Sequence, residues 1–238
     1  MAPRNYVRSL VESGEDKAAV LKPSQFKDLL VIAGEGRNGV RNRSIIWHSF
    51  ASGLRVSEIA KLKVKDVVSK SGQINEIGRL PGASAKGGKS RLFIQLEPAQ
   101  REAIIAYIEY RKDRGLRSSK KKEYRGLQGD SPFYLSRGAA GFQMSRKEYE
   151  RTNGKIEEYE VCSSLQQLIS ALIKRIGAKG GSSHSGRRTL STRLHNRGVD
   201  DKLIQILLGH AEVNMTMSYV EPDVAKIKKG FKTLFAGL

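Results

Sequence analysis

His184-Ser185-Gly186-Arg187-Arg188-Thr189, then Leu208-Gly209-His210, then Tyr219, is the stretch around which this 238-residue chain is organised. His184 and Arg187 are three apart and share one face of a helix, and His210 follows after a turn marked by Gly209. These groups can donate hydrogen bonds to a phosphate, neutralise it and attack it without a metal. A phenol has a pKa of about 10, so Tyr219 can act as a nucleophile only beside positive charge and a proton acceptor. Each residue also has a plainer reading, with Tyr219 as a packing tyrosine and His184 at a helix entry.

The apolar spacing around this stretch is helical. A helix is predicted from about Gly186 to Asn196, burying Leu190 and Leu194 and ending at Gly198. Asp200 is predicted to cap the next, whose inner face carries Leu203, Ile204, Leu207 and Leu208, with Gly209 at its end. Upstream, Ser163 or Ser164 is expected to cap a helix with Leu165, Leu168, Ile169, Leu172, Ile173 and Ile176 on its core face.

Toward the N-terminus, residues 1–22 are mixed and charged, with only a short possible helix near Tyr6–Val11, and read as an arm. Ser24 is expected to cap a helix with Phe26, Leu29, Leu30 and Ala33 at helical spacing. A second, largely buried helix runs from about Val40 to Ala51. His48 lies within it among apolar neighbours and reads as a structural histidine. Gly53 then breaks the chain before Arg55-Val56-Ser57-Glu58, where Glu58 is placed to hold the Arg55 guanidinium; an ordinary surface ion pair is the alternative. Alternation predicts strands at Gln73–Ile77 and Arg91–Leu96, and the turn between them carries Lys86 and Lys89. Pro98 opens a helix to about Arg114. From Gly115 to Tyr159 the pattern loosens. Ser118-Ser119-Lys120-Lys121-Lys122 is a basic run, Phe133-Tyr134-Leu135 reads as a short buried strand, and Arg146–Glu160 as an exposed loop or hairpin.

Charge is what departs from the ordinary. Lys and Arg number 43 against 24 Asp and Glu, for a net +19 spread along the chain, which favours a polyanion as partner. A soluble basic protein without such a partner is the competing reading. One cysteine, Cys162, excludes an internal disulfide and a cysteine-based zinc site. No signal-peptide-like apolar run opens the sequence, and no stretch approaches the roughly 18 apolar residues of a membrane span. The expected setting is the cytoplasm, in association with the nucleoid and without a membrane.

Four boxes in order resemble the tyrosine recombinase (phage integrase) family: Ser52-Gly53-Leu54-Arg55-Val56-Ser57-Glu58, Lys86-Gly87-Gly88-Lys89-Ser90-Arg91, His184-Ser185-Gly186-Arg187-Arg188-Thr189, and Leu208-Gly209-His210 with Tyr219 nine residues later. The resemblance covers nearly everything from residue 23 onward. It implies a mainly α (α+β) fold, a helical catalytic domain with a small antiparallel sheet or hairpin, over residues 23–238. It also implies a site-specific DNA recombinase that cuts and rejoins strands through a 3′-phosphotyrosyl bond, with no metal, cofactor or ATP.

By the same resemblance, Tyr219 is the nucleophile and Arg55 and Arg187 clamp the non-bridging oxygens. His184 and His210 assist with hydrogen bonds and protons. Lys86 is the general acid, with Lys89 as the other choice. Glu58 is a supporting residue, and Lys120, Lys121, Lys122 and Arg188 are DNA-binding candidates. The partner implied is double-stranded DNA, bound by a homotetramer on two sites through an amphipathic tail at about 222–238; a tail folded back on its own domain is the alternative. A topoisomerase IB-like or telomere-resolvase-like strand transferase, or a DNA-binding protein that has lost catalysis, are the competing functions.

Departures from the family pattern are the lack of room for a separate N-terminal DNA-binding domain, which leaves a minimal recombinase or a fragment, the pair Ser185-Gly186, and the long insertion at 115–160.

Overall fold

The structure is a computed structural model that describes residues 18–82, 90–150, 156–209 and 234. In chain order these form α1 (Pro23–Ala33), α2 (Gly39–Phe50), α3 (Val56–Lys61), α4 (Val64–Val67), β1 (Ile77–Leu80), β2 (Arg91–Ile94), α5 (Pro98–Asp113), β3 (Ser145–Glu150), β4 (Ile156–Val161), α6 (Ser163–Arg175), α7 (Ser185–His195) and α8 (Asp201–Leu208). The mainly helical α+β architecture is the one expected. Among the described residues the strands make two antiparallel two-stranded sheets, β1 with β2 and β3 with β4. No helix among them is long and apolar enough to cross a membrane.

α2 is the centre of the core. Ile45, Ile46 and Phe50 are fully buried and Trp47 nearly so, and the helix packs on α1, α5 and α7. Phe26 of α1 meets Trp47 edge-on at 5.1 Å and Phe50 at 4.9 Å. Each such side chain contributes about 1.5–3 kcal/mol by leaving water, which fixes α2 as the element others are built on.

His48 is fully buried on α2, as its apolar neighbours imply, but its surroundings are polar. Gln95 donates its amide to the carbonyls of Asn75 at 2.7 Å and Val67 at 3.3 Å, so its oxygen faces Nε2 of His48 at 3.0 Å. That assigns the imidazole proton to Nε2. Nδ1 then accepts from the Tyr134 hydroxyl at 2.6 Å, which in turn accepts from Ser44 at 2.7 Å. Burial pushes the His48 pKa down to about 4, and the bonds that a charged ring would donate to the Ser44 carbonyl and to Gln95 only partly oppose it, so the ring is neutral.

Several local expectations shift. α1 begins at Pro23 rather than behind a Ser24 cap, because proline's fixed φ suits the first helical position and the Lys22 N–H is taken by Gln25 at 3.0 Å. α6 begins at Ser163 with Cys162 before it, and neither Ser163 nor Ser164 caps it. Asp200 does cap α8, accepting from Lys202 N and Leu203 N.

The first strand starts at Ile77. Ile74 instead pairs with Val68 as an isolated bridge, because Asn75 N–H is held by Val67 O at 2.9 Å. Phe133-Tyr134-Leu135 is buried as predicted but is not a strand. Fully buried Arg111 of α5 donates to the carbonyls of Pro132 and Phe133, and Phe133 N–H bonds Leu62 O, so these partners replace a ladder. The Arg146–Glu160 region is the β3–β4 hairpin, with Arg146 opposite Glu160. Lys61 of α3 reaches Glu160 across to it.

Residues 18–22, read as the end of an arm, are docked on the domain. Leu21 is buried, its N–H donates to Thr189 Oγ1 at 3.0 Å, and Ala19 N–H bonds Gly180 O at 2.9 Å. Leu21 carries enough apolar surface to pull this segment into the core ahead of α1. The possible helix at Tyr6–Val11 and the turn at 83–89 lie outside the described residues. Of the tail, Leu234 is described, and it is buried within the chain's own core.

Candidate active site

Three arginines and one glutamate meet at the C-terminal end of α8. Glu58, in the first turn of α3, is fully buried. It accepts from Arg55 N at 2.7 Å and Arg55 Nη1 at 3.0 Å, and from Arg91 Nε at 3.0 Å and Arg91 Nη2 at 2.5 Å. One carboxylate therefore holds two guanidinium groups, from the start of α3 and the start of β2. Burial alone would raise the Glu58 pKa. The hydrogen bonds from Arg91 and the charges of Arg91 and Arg55 outweigh it and hold the carboxyl below its usual range. The surface ion pair considered from sequence is thus a buried network.

Arg187 approaches from the first turn of α7. Its Nη1 donates to Gly53 O at 2.5 Å and its Nη2 to Leu208 O at 2.7 Å. Arg55 Nη2 donates to Gly209 O at 3.2 Å, and Arg91 Nη1 to Leu207 O at 2.5 Å. A helix leaves its last carbonyls without internal partners and concentrates negative potential there. Here three consecutive carbonyls, Leu207, Leu208 and Gly209, each take one arginine.

Two glycines make this approach possible. Gly209 ends α8 with φ +64°, and a Cβ on it would sit 2.5 Å from Arg91 Cδ. Gly53, with φ +60°, would bring a Cβ within 2.9 Å of both Leu208 and Leu190.

Burial, then the neighbouring charges of Arg55 and Arg91, push the Arg187 pKa down to about 9. It stays protonated at neutral pH, but its charge is under-compensated. Among the described residues, Arg55 and Arg187 each place two guanidinium N–H groups on protein oxygens, and a guanidinium carries five. Arg91 is engaged by Glu58 and Leu207 O, so Arg55 and Arg187 are the donor set for an oxyanion, and planar forks match phosphoryl oxygens better than ammonium groups do.

His184 is the exposed residue that immediately precedes α7. Ser182 Oγ accepts its N–H at 3.3 Å, and buried Ser185 Oγ accepts Ser182 N–H at 3.0 Å, two bonds that fix the helix entry. Ser185-Gly186, the departure seen in sequence, has a packing reason, since Gly186 lies against the backbone of Ser49 on α2.

Arg188, a DNA-binding candidate from sequence, donates to Ala18 O at 2.6 Å and so ties residues 18–22 to α7. His195 pairs with Asp201 Oδ1 at 2.8 Å on the surface. Lys120, Lys121 and Lys122 are exposed and line a different feature, an open groove with Lys112, Arg125 and Glu109. Lys86, Lys89, His210 and Tyr219 lie outside the described residues.

Arg91 closes one of the sequence boxes, where residue type alone gives it no role. The signal for it is register: on β2 it shares a face with Phe93, and an arginine in the buried register of a strand demands a buried partner.

A family model described as the phage integrase family matches residues 19–226. The chain is 28% identical over 214 residues to tyrosine recombinase XerD of Rickettsia conorii, covering 88% of this chain and 62% of that protein. It is 30% identical over 216 residues to tyrosine recombinase XerC of Halalkalibacterium halodurans, covering 90% and 61%. It thus spans about three fifths of the length of these relatives. Among solved structures, the fold resembles the XerA recombinase with a TM-score of 0.58 at 21% identity, covering 90% of this chain and 64% of that one. It also resembles the XerH site-specific recombinase bound to difH substrate, with 0.55 at 18%, covering 92% and 55%. With the match running through the segments that supply Arg55, Arg91 and Arg187, the chain belongs to the phage integrase family.

Proposed function

We propose that the chain is a site-specific DNA recombinase, an integrase of a mobile element, that cleaves and rejoins double-stranded DNA through a 3′-phosphotyrosyl bond. The observation that carries this is the arginine cluster, in which Arg55 and Arg187 are held from two helices against one helix end with N–H groups to spare among the described residues. A scissile phosphate bound there gains charge on its non-bridging oxygens as Tyr219 attacks, and fixed guanidinium forks stabilise that charge. His184 and His210 assist, and Lys86 or Lys89 protonates the leaving 5′-oxygen. The covalent bond retains the phosphodiester energy, so rejoining requires neither ATP nor a cofactor.

Family membership, the net +19 and the XerH complex with difH substrate support DNA as the partner. Lys120, Lys121 and Lys122 add backbone contacts, and the protein works in the cytoplasm at the nucleoid. Assembly is a homotetramer on two DNA sites. The tail is exchanged between protomers in that assembly; the burial of Leu234 in its own chain supports the alternative, a tail folded back on its own domain. A deletion from Lys226 onward that left synapsis intact in a gel shift would overturn the exchange.

The test uses a library of nicked duplexes with randomised arms. Wild type should trap an SDS-resistant adduct enriched in one sequence, and Tyr219→Phe should trap none. Equal adducts from both would overturn the nucleophile. On the enriched duplex, log Kd should vary with log salt at about 0.9 per phosphate neutralised.

A further inference from the structure

Arg91 joins three parts of the molecule that the sequence keeps far apart. It starts β2, directly after the turn that carries Lys86 and Lys89. Its Nε and Nη2 hold Glu58 of α3, its Nη1 holds Leu207 O at the end of α8, and its Nη2 also faces Gly53 O at 3.5 Å. The side chain is 5% exposed, and the carbonyl it holds lies two residues before Gly209, where the chain leaves α8 toward His210 and Tyr219. Gly209 has no Cβ where Arg91 Cδ lies, so the two are fitted to each other.

We infer that Arg91 is a positioning residue, which sets the end of α8 and, through Glu58, the Arg55 guanidinium in one register with the base of the lysine-bearing hairpin. It need not touch DNA. Its fork is what the role requires, because one planar group reaches a carboxylate with two nitrogens and a carbonyl with the third, whereas a lysine ammonium cannot span both. The inference rests on the recombinase reading only for its effect on rate; the geometry it claims is a property of the free protein.

Glu58 adds a dependence on pH. The charges facing it are Arg55 on its own helix, Arg91 from β2 and Arg187 from α7. Without Arg91, a buried carboxylate keeps its desolvation and loses its largest compensating partner, so it takes up a proton at a higher pH than in wild type. Protonated Glu58 no longer orients Arg55.

Arg91→Met, Arg91→Lys and the double variant Arg91→Met with Glu58→Gln, made in the full chain, test this. By hydrogen–deuterium exchange on the free proteins, Arg91→Met should speed exchange of the segment Ile206–Gly209 at least tenfold relative to that of α5, and Arg91→Lys should recover only a small part. On the enriched nicked duplex, Arg91→Met should form adduct at least 50-fold more slowly with Kd within threefold of wild type. Its rate should fall further with acid over a range where wild type is flat, and the double variant should lose that acid limb.

Wild-type exchange at 206–209 in Arg91→Met would overturn the inference, as would a rate loss equal at every pH and matched by the loss of folded protein. Should wild type form no adduct on any duplex, the recombinase reading fails, and the exchange measurement alone decides Arg91.

Discussion

Gly186 of α7 and Ser49 of α2 are in backbone contact: a Cβ on Gly186 would fall 2.7 Å from the Ser49 carbonyl oxygen and closer still to its hydroxyl. This contact sets how near Arg187, one residue later, comes to the Gly53 carbonyl. Gly186→Ala should therefore destabilise the protein by about 1–3 kcal/mol, the cost of overpacking, measured by chemical denaturation. The Ser49 hydroxyl is buried without a partner among the described residues, so Ser49→Ala should be neutral or stabilising. In the double mutant it should recover part of the Gly186→Ala loss. Strict additivity of the two changes would show that the hydroxyl and the Cβ do not compete for the same space.

His48 makes stability pH-dependent. Its folded pKa of about 4 lies below the ordinary value of 6.5, so the unfolded chain binds the extra proton between these values. Stability is complete above pH 6.5 and declines as pH falls toward 4, by about 3 kcal/mol in all. In His48→Gln, the slope of unfolding free energy against pH over that window should be shallower by up to about 1.4 kcal/mol per unit. An unchanged slope would mean that the imidazole is already charged in the folded protein.

Glu58→Gln keeps the shape and removes the charge between two guanidinium groups. Breaking a buried ion pair in this way costs about 3–5 kcal/mol. The folded pKa of Glu58 is depressed, so its contribution is present above the ordinary carboxylate pKa and is lost as pH falls through the folded value. The gap in melting temperature between wild type and Glu58→Gln should narrow in acid; a gap constant with pH would point to shape rather than charge.

An anion should relieve the crowding of charge at Arg187. Inorganic phosphate at constant ionic strength should raise the melting temperature of wild type by about 3–5 °C when present at tenfold over its Kd. Arg187→Gln removes the guanidinium whose pKa is pushed down to about 9, and should abolish most of that shift. An equal shift in both proteins would place the anion elsewhere.

Gly209→Ala forces a side chain into φ +64° and against Arg91 Cδ. The backbone part alone costs about 1–2 kcal/mol. Gly209→Asn tolerates that φ better but keeps the clash, so it should remain nearly as destabilised as Gly209→Ala. Recovery to near wild-type stability in Gly209→Asn would show that Arg91 moves aside freely.

The arginine part of the candidate site was legible because residue type and order carry it. Arg55 with Glu58, and Arg187 ahead of Leu208-Gly209, could be picked out and joined. The structure brings both arginines to one helix end. The helices were legible from apolar spacing, and the Asp200 cap from a local rule. Arg91 was not, because its significance depends on Glu58, 33 residues earlier, and on Leu207, 116 residues later. The non-strand at Phe133-Tyr134-Leu135 was missed for the same reason, since its backbone partners come from Arg111 and Leu62, whereas the Ile74 bridge is a local turn back onto Val68 that alternation alone reads as strand.

By itself, then, the sequence determined which segments are helical, which faces are apolar and which side chains are candidates for phosphate chemistry, because propensity, periodicity and functional-group identity are local. Only the tertiary structure decided that three arginines share one helix end, that one buried carboxylate holds two of them, and that Gly186 is a packing requirement. Those facts arise from contacts between segments whose separation along the chain hides their distance in space.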